Sequence, residues 1–127
     1  MPRSKRQAIH SAAAPQVIGP YSQAIVSGNT VYVSGQLPIN PDTHQITGTI
    51  QEQTVQCLMN INEILHELEM NLSHVVKSTV ILSDMNDFEA FNKVYAEYFY
   101  EPYPARVTFG GQLIKDAKLQ IEVVAIK

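Results

Sequence analysis

The chain has 127 residues, enough for one domain that buries about two thirds of its unfolded surface in a single core, so neither a metal nor a disulfide is needed to fold it. Apolar residues make up 45% and charged residues 17%, an ordinary globular composition that leaves room for apolar surface lost in an oligomer, and no run approaches the roughly 18 apolar residues of a membrane span. Net charge is −3, yet Arg3, Lys5 and Arg6 precede any acid, and without them six cations face 12 acids; that acidic body argues against a broad phosphate-binding face.

Cys57 is the only cysteine, which rules out an intrachain disulfide and suits a reducing compartment. His10, His44, His66 and His74 lack any His-x-His or His-x-x-x-His spacing and no second thiol exists, so no metal site is expected. Residues 1–6 read as a basic, disordered tail ahead of a single domain over 7–127. With Ser11 to Ala14 the tail also has the composition of a short organelle-targeting segment, so the expected location is cytoplasmic, with mitochondrial as the alternative.

Along the chain, Ile25-Val26 and Thr30-Val31-Tyr32-Val33 flank Ser27-Gly28-Asn29 and read as a hairpin, with Gly28 and Asn29 supplying the positive φ angles of a tight connection. Gly35 to Gly48 is loop-rich, and Thr49-Ile50-Gln51-Glu52 is a capping box that starts a helix. Val55, Leu58, Leu65, Leu68 and Leu72 share one face of it. Val75 to Leu82 is short, apolar and β-branched, the pattern of a central strand. Asn86-Asp87-Phe88-Glu89 places an N-cap residue three before a glutamate, and Phe88, Phe91, Tyr95 and Tyr98 form the stripe of a second helix, read as core packing. Pro102 and Pro104 stop that helix; two strands follow, one carrying Arg106 and one running from Leu119 to Ile126 with Glu122 inside it.

The order strand, strand, strand, helix, strand, helix, strand, strand predicts an α+β fold: one mixed six-stranded sheet with two helices on one face. In the last strand Leu119, Ile121 and Val123 point one way while Glu122, Val124 and Ile126 point the other. No helix remains to cover the second face. Another subunit is expected to close it, in a ring that sets Arg106 and Glu122 near a subunit boundary.

Phosphate loops, dinucleotide fingerprints and the Gly-x-Ser-x-Gly elbow are all absent. What remains is Arg106 and Glu122, sixteen residues apart, each inside an apolar strand where an unpaired charge is costly. They either neutralise each other in a register-fixing ion pair, which spacing alone favours, or handle a small polar ligand. Arginine's planar fork grips a carboxylate in bidentate fashion, and a glutamate in a partly apolar site can act as a base near neutrality, so the second reading is water addition to a small carboxylate-bearing electrophile. Tyr21 reads as a turn aromatic capping the core, and Ser34 as a strand-end hydroxyl bonded to backbone rather than a nucleophile.

Several segments recur together and in order: Ala14-Pro15 with Ile18-Gly19-Pro20-Tyr21-Ser22-Gln23-Ala24, Val33-Ser34-Gly35-Gln36-Leu37-Pro38, Met85-Asn86-Asp87-Phe88 with Asn92 and Tyr95, Pro104-Ala105-Arg106, and Ile121-Glu122. Together they resemble the RidA family of reactive intermediate deaminases, also called YjgF or L-PSP proteins, over nearly the whole chain after the basic tail. The resemblance implies a chorismate-mutase-like fold and a homotrimer with sites between subunits. It also implies hydrolysis, without metal or cofactor, of enamines and imines released by pyridoxal-phosphate-dependent dehydratases: 2-aminoacrylate or its imine 2-iminopropanoate yields a 2-keto acid and ammonia, the activity of a 2-iminobutanoate/2-iminopropanoate deaminase. By position, Arg106 would hold the carboxylate, Glu122 would orient or deprotonate the attacking water, and Tyr21 of a neighbouring subunit would close the pocket and assist proton transfer at the methylene carbon. Ser34, Gly35, Asn92 and Thr108 match positions that line it, Thr108 through its backbone, standing where many members have cysteine.

The chain departs from the family between Arg106 and Glu122, where it is one residue shorter, with Phe109-Gly110-Gly111 in place of continuous strand and Leu113-Ile114-Lys115-Asp116 at the customary turn. Successive glycines mark a bulge or a close backbone approach. Two other functions stay open: an RNA-directed role, since some family members carry endoribonuclease or translation-inhibitor labels, against which the acidic body weighs, and a non-catalytic module that binds a small acid in the Arg106 cleft.

Overall fold

The structure, a computed structural model, describes residues 5–127. Six strands, β1 (Arg6–Ile9), β2 (Ala24–Ser27), β3 (Thr30–Gln36), β4 (Val75–Leu82), β5 (Ala105–Gly110) and β6 (Leu119–Ile126), form one sheet in the order β1-β2-β3-β6-β4-β5. Neighbours are antiparallel except β4 and β5, which run parallel and are joined through α2 (Phe88–Tyr98). The other helix, α1 (Ile50–His66), packs on β3 and β6 and against α2, which places both helices on one face. This is the expected chorismate-mutase-like α+β arrangement. The sequence pattern does not locate β1, which begins at Arg6 opposite Ser27; of the basic segment, residues 1–4 lie outside the described residues.

Local chemistry accounts for most element ends, with three corrections. In the β2–β3 turn Gly28 takes a positive φ of +61°, whereas Asn29 does not. At α1 the capping box forms as expected: Thr49 Oγ1 accepts from the Glu52 N–H at 3.2 Å, and the Glu52 carboxylate accepts from the Thr49 N–H at 2.9 Å. The helix stops at His66, so Leu68 and Leu72 lie beyond it; Glu69 turns left-handed at φ +58° and the Met70 N–H closes the turn on the Leu65 carbonyl. Its inward face is Ile50, Thr54, Cys57, Leu58, Ile61, Ile64 and Leu65, with Val55 half-buried at the flank. Each fully buried leucine or isoleucine there contributes roughly 1.5–3 kcal/mol. Before α2, Asn86 is not the cap: Met85–Asp87 makes one 3-10 turn whose cap is Asp84, its carboxylate accepting from the Asn86 N–H at 2.9 Å.

The two faces of the sheet differ as the alternation in β6 predicts. Leu119, Ile121, Val123 and Ala125 are buried beneath the helices. The opposite face carries Tyr32, Val107, Phe109 and Ile126, between 41% and 52% exposed, with Glu122 and Val124 among them. At the end of β5 the expected close approach is present: the Gly111 N–H bonds the Leu82 carbonyl at 3.1 Å, and a Cβ on Gly110 would stand 3.2 Å from Met85 Cγ.

Candidate active site

Arg106 stands opposite Ser78 across the β4–β5 ladder, and Ser78 is buried under the helices, so Arg106 extends on the helix side of an edge strand. There its guanidinium carbon lies 4.8 Å from the Tyr95 ring centroid, 5.3 Å from Phe91 and 5.9 Å from Phe88. The aromatic stripe of α2 is thus both core packing and a seat for a cation. No carboxylate among the described residues pairs with Arg106, which leaves its planar fork for a group from outside the chain. Asn92, Tyr95, Ala96, Tyr103 and Pro104 complete a depression of about 470 Å³ around it.

Two neighbours shape the chemistry of this depression. Tyr95 bonds Ser78 Oγ through its hydroxyl at 2.7 Å in a buried setting; burial pushes its phenol pKa up, opposed by that hydrogen bond and by the charge of Arg106, so it stays neutral near pH 7. Thr108 lies opposite Val80 and therefore on the face of Arg106, and its Oγ1 is buried with no hydrogen-bond partner among the described residues. A buried hydroxyl without a partner costs about 1–3 kcal/mol, so this is a second group suited to an outside partner.

Tyr21, Ser34 and Gly35 gather elsewhere, beside β2 and β3. The Tyr21 ring is 48% exposed, and its hydroxyl accepts from the Ile18 N–H at 3.4 Å. Ser34 Oγ donates to the Ser22 carbonyl and the Ser34 N–H to the Gln23 carbonyl, pinning the Tyr21 loop to β3, as expected for a strand-end hydroxyl. Tyr21 and Gly35 border one shallow depression with Leu37 and Ile39. The side chain over Gly35 is Gln120, so close that a Cβ on Gly35 would stand 2.4 Å from its Nε2. Sequence reasoning passed over Gln120, because an outward polar residue on an alternating strand carries no local signal. Glu122, two residues on, is exposed in a separate depression of about 190 Å³ with Tyr32, Lys77 and Thr79.

Arg106 and Glu122 do not meet within one chain. Glu122 is opposite Thr79, and Thr79 is opposite Val107, so Glu122 shares the open face with Val107 while Arg106 shares the helix face with Ser78. The register-fixing ion pair that spacing favoured is therefore excluded inside a protomer. Arg106, Asn92 and Thr108 gather at the β5 edge; Tyr21, Ser34 and Gly35 gather at β3. Between β3 and β5 stand β6 and β4, three strand spacings or roughly 14 Å.

Both clusters fall within a stretch that matches a known family. The sequence profile described as Endoribonuclease L-PSP matches residues 11–127. The chain belongs to this L-PSP, or RidA, family. Over 124 residues it is 48% identical to a RutC family protein of Pyrococcus horikoshii, covering 96% of this chain and 98% of that one. It is 43% identical over 124 residues to the 2-iminobutanoate/2-iminopropanoate deaminase of Capra hircus, covering 96% and 90%. The crystal structure of E. coli TdcF with bound serine has a TM-score of 0.90 at 36% identity, covering 95% of this chain and 98% of that one.

Proposed function

We propose that this protein is a 2-iminobutanoate/2-iminopropanoate deaminase working at the boundaries between copies of a homotrimer. The observation that carries the reading is Arg106, a half-buried cation seated on three rings with no carboxylate among the described residues paired to it. Two parallel N–H···O bonds from its fork to a substrate carboxylate would fix the adjacent imine carbon. A neighbouring copy laid on the open sheet face brings its own Tyr21 loop, the Ser34–Gly35 end of β3 and β6 to the Arg106 edge, and so unites the two clusters that one chain holds apart. Asn92 and Thr108 line the carboxylate end.

In this reading water adds to the C=N carbon, and the resulting carbinolamine collapses. The water oxygen becomes the keto oxygen, both of its hydrogens leave on nitrogen, and the products are a 2-keto acid and ammonia. Glu122 of the adjoining copy orients or deprotonates the water, a general-base contribution of about 10²- to 10⁴-fold. Gln120, over Gly35, can hold that water by hydrogen bonds but has no titratable group to take its proton. The names of the mammalian relatives and the serine bound to TdcF support a small, amino-acid-like carboxylate as ligand, and pyridoxal-phosphate-dependent dehydratases are the class of enzyme that supplies it.

Added to a serine or threonine dehydratase reaction, the protein should speed 2-keto acid release; a folded wild-type protein that leaves the rate unchanged overturns the assignment. An RNA-directed role is the second reading, favoured by the family's description and by a depression of about 520 Å³ edged by Lys5, Arg6 and Lys127, well away from Arg106. It requires RNA binding that weakens steeply with salt and is lost in Lys5→Ala/Lys127→Ala.

A further inference from the structure

We infer that Ser78 is a positioning residue for Arg106 that acts through Tyr95, an inference that rests on the carboxylate-gripping role of Arg106. Three elements meet at this point: β5 carries the arginine, α2 carries the ring beneath it and β4 carries the serine that holds the ring. With no ion pair among the described residues, the guanidinium takes its aim from the surface it lies on, and the nearest ring of that surface is Tyr95 at 4.8 Å. Phe99 stacks on that ring at 4.4 Å and 30°, and Phe91 meets it at 5.4 Å and 50°, which confines its faces. Its far end is held by the 2.7 Å bond between the Tyr95 hydroxyl and Ser78 Oγ.

Ser78 is the cross-strand partner of Arg106, so the hydrogen bond ties the ring to the strand pair that carries the arginine. A small displacement of α2 then cannot shift the seat without shifting the arginine's neighbour. Two buried hydroxyls are a costly way to fill space where an apolar pair would pack as well, unless the directed bond between them serves a purpose. Burial raises the phenol pKa and keeps Tyr95 neutral through the working range, so the bond stays one between two hydroxyls.

Ser78→Ala, Tyr95→Phe, the double variant and Ser78→Thr separate positioning from mere stability. The readouts are Tm, the Kd for 2-ketobutyrate by calorimetry, and KM and kcat in the dehydratase-coupled assay. Each single variant strands one buried hydroxyl and should lower Tm; each should also raise Kd and KM by about tenfold, the loss expected for one directed bond, with kcat falling less than KM rises. The double variant strands no hydroxyl and should recover Tm while Kd and KM stay high, and Ser78→Thr should restore all three. A double variant that recovers Kd and KM together with Tm overturns the inference and leaves the bond a fold contact. Wild type that binds 2-ketobutyrate through Arg106 without turnover sinks the deaminase reading and leaves the Kd comparison to decide; no binding at Arg106 sinks both.

Discussion

Replacing Arg106 with alanine removes the fork that the proposed reaction depends on, and we predict that turnover is lost while the chain stays folded. A hydrogen bond to a charged group contributes about 1.5–3 kcal/mol net, so two to a substrate carboxylate contribute about 3–6 kcal/mol and their loss lowers kcat/KM by about 10²- to 10⁴-fold. The cost to the fold is smaller. Three ring contacts disappear, each worth about 0.5–1 kcal/mol at a half-exposed site, and no carboxylate among the described residues is stranded, so the total falls well inside a usual stability of about 5–15 kcal/mol. Arg106→Lys keeps a point charge but loses the bidentate geometry, and it should fall between wild type and alanine. The dehydratase-coupled release of 2-keto acid measures the first quantity, and thermal melting with size-exclusion chromatography measures the second. A folded Arg106→Ala protein with kcat/KM within tenfold of wild type refutes the role, whereas a variant that unfolds refutes the estimate of the cost to the fold.

Wild type should sediment at three times the 14.2 kDa chain mass, and Phe109→Asp on the open face should yield inactive monomers; an active monomer would show that one chain holds a complete site. Gly35→Ala should push aside the flexible end of Gln120 and lower activity with Tm nearly unchanged, to the level of Gln120→Ala, and the double variant should add nothing. Additive losses in rate assays would mean that the two residues act independently. The raised pKa of Tyr95 gives a stability contribution that is full below the unfolded phenol value of about 10 and is lost as pH rises through the folded value, because the unfolded chain gives up that proton first. Tyr95→Phe should therefore flatten the fall in Tm above about pH 10, and an alkaline limb with the wild-type slope would contradict it.

Much of the fold was legible in the sequence, because the signals act over a few neighbouring residues. The Thr49–Glu52 box, the aromatic stripe of α2 and the alternation of β6 each set a local geometry, and the leftover apolar alternation of β6 announced an uncovered face. Where the local signal is thin the sequence does not mark the element: β1 is four residues, three of them exposed, with no apolar alternation, and the left-handed turn at Glu69 ends α1 although the apolar spacing runs on to Leu72. The sequence by itself named Arg106, Glu122, Tyr21, Ser34, Gly35, Asn92 and Thr108. Only the tertiary structure decided which of them stand together. Arg106 and Glu122 fall on opposite faces because their partners in β4, Ser78 and Thr79, are adjacent residues, and Gln120 reaches Gly35 because β3 shifts register between Val33 and Gln36. Strand register is fixed by pairing free energy summed over a whole sheet, between segments far apart in the chain, and a one-residue slip reverses every side chain, so no local pattern encodes it.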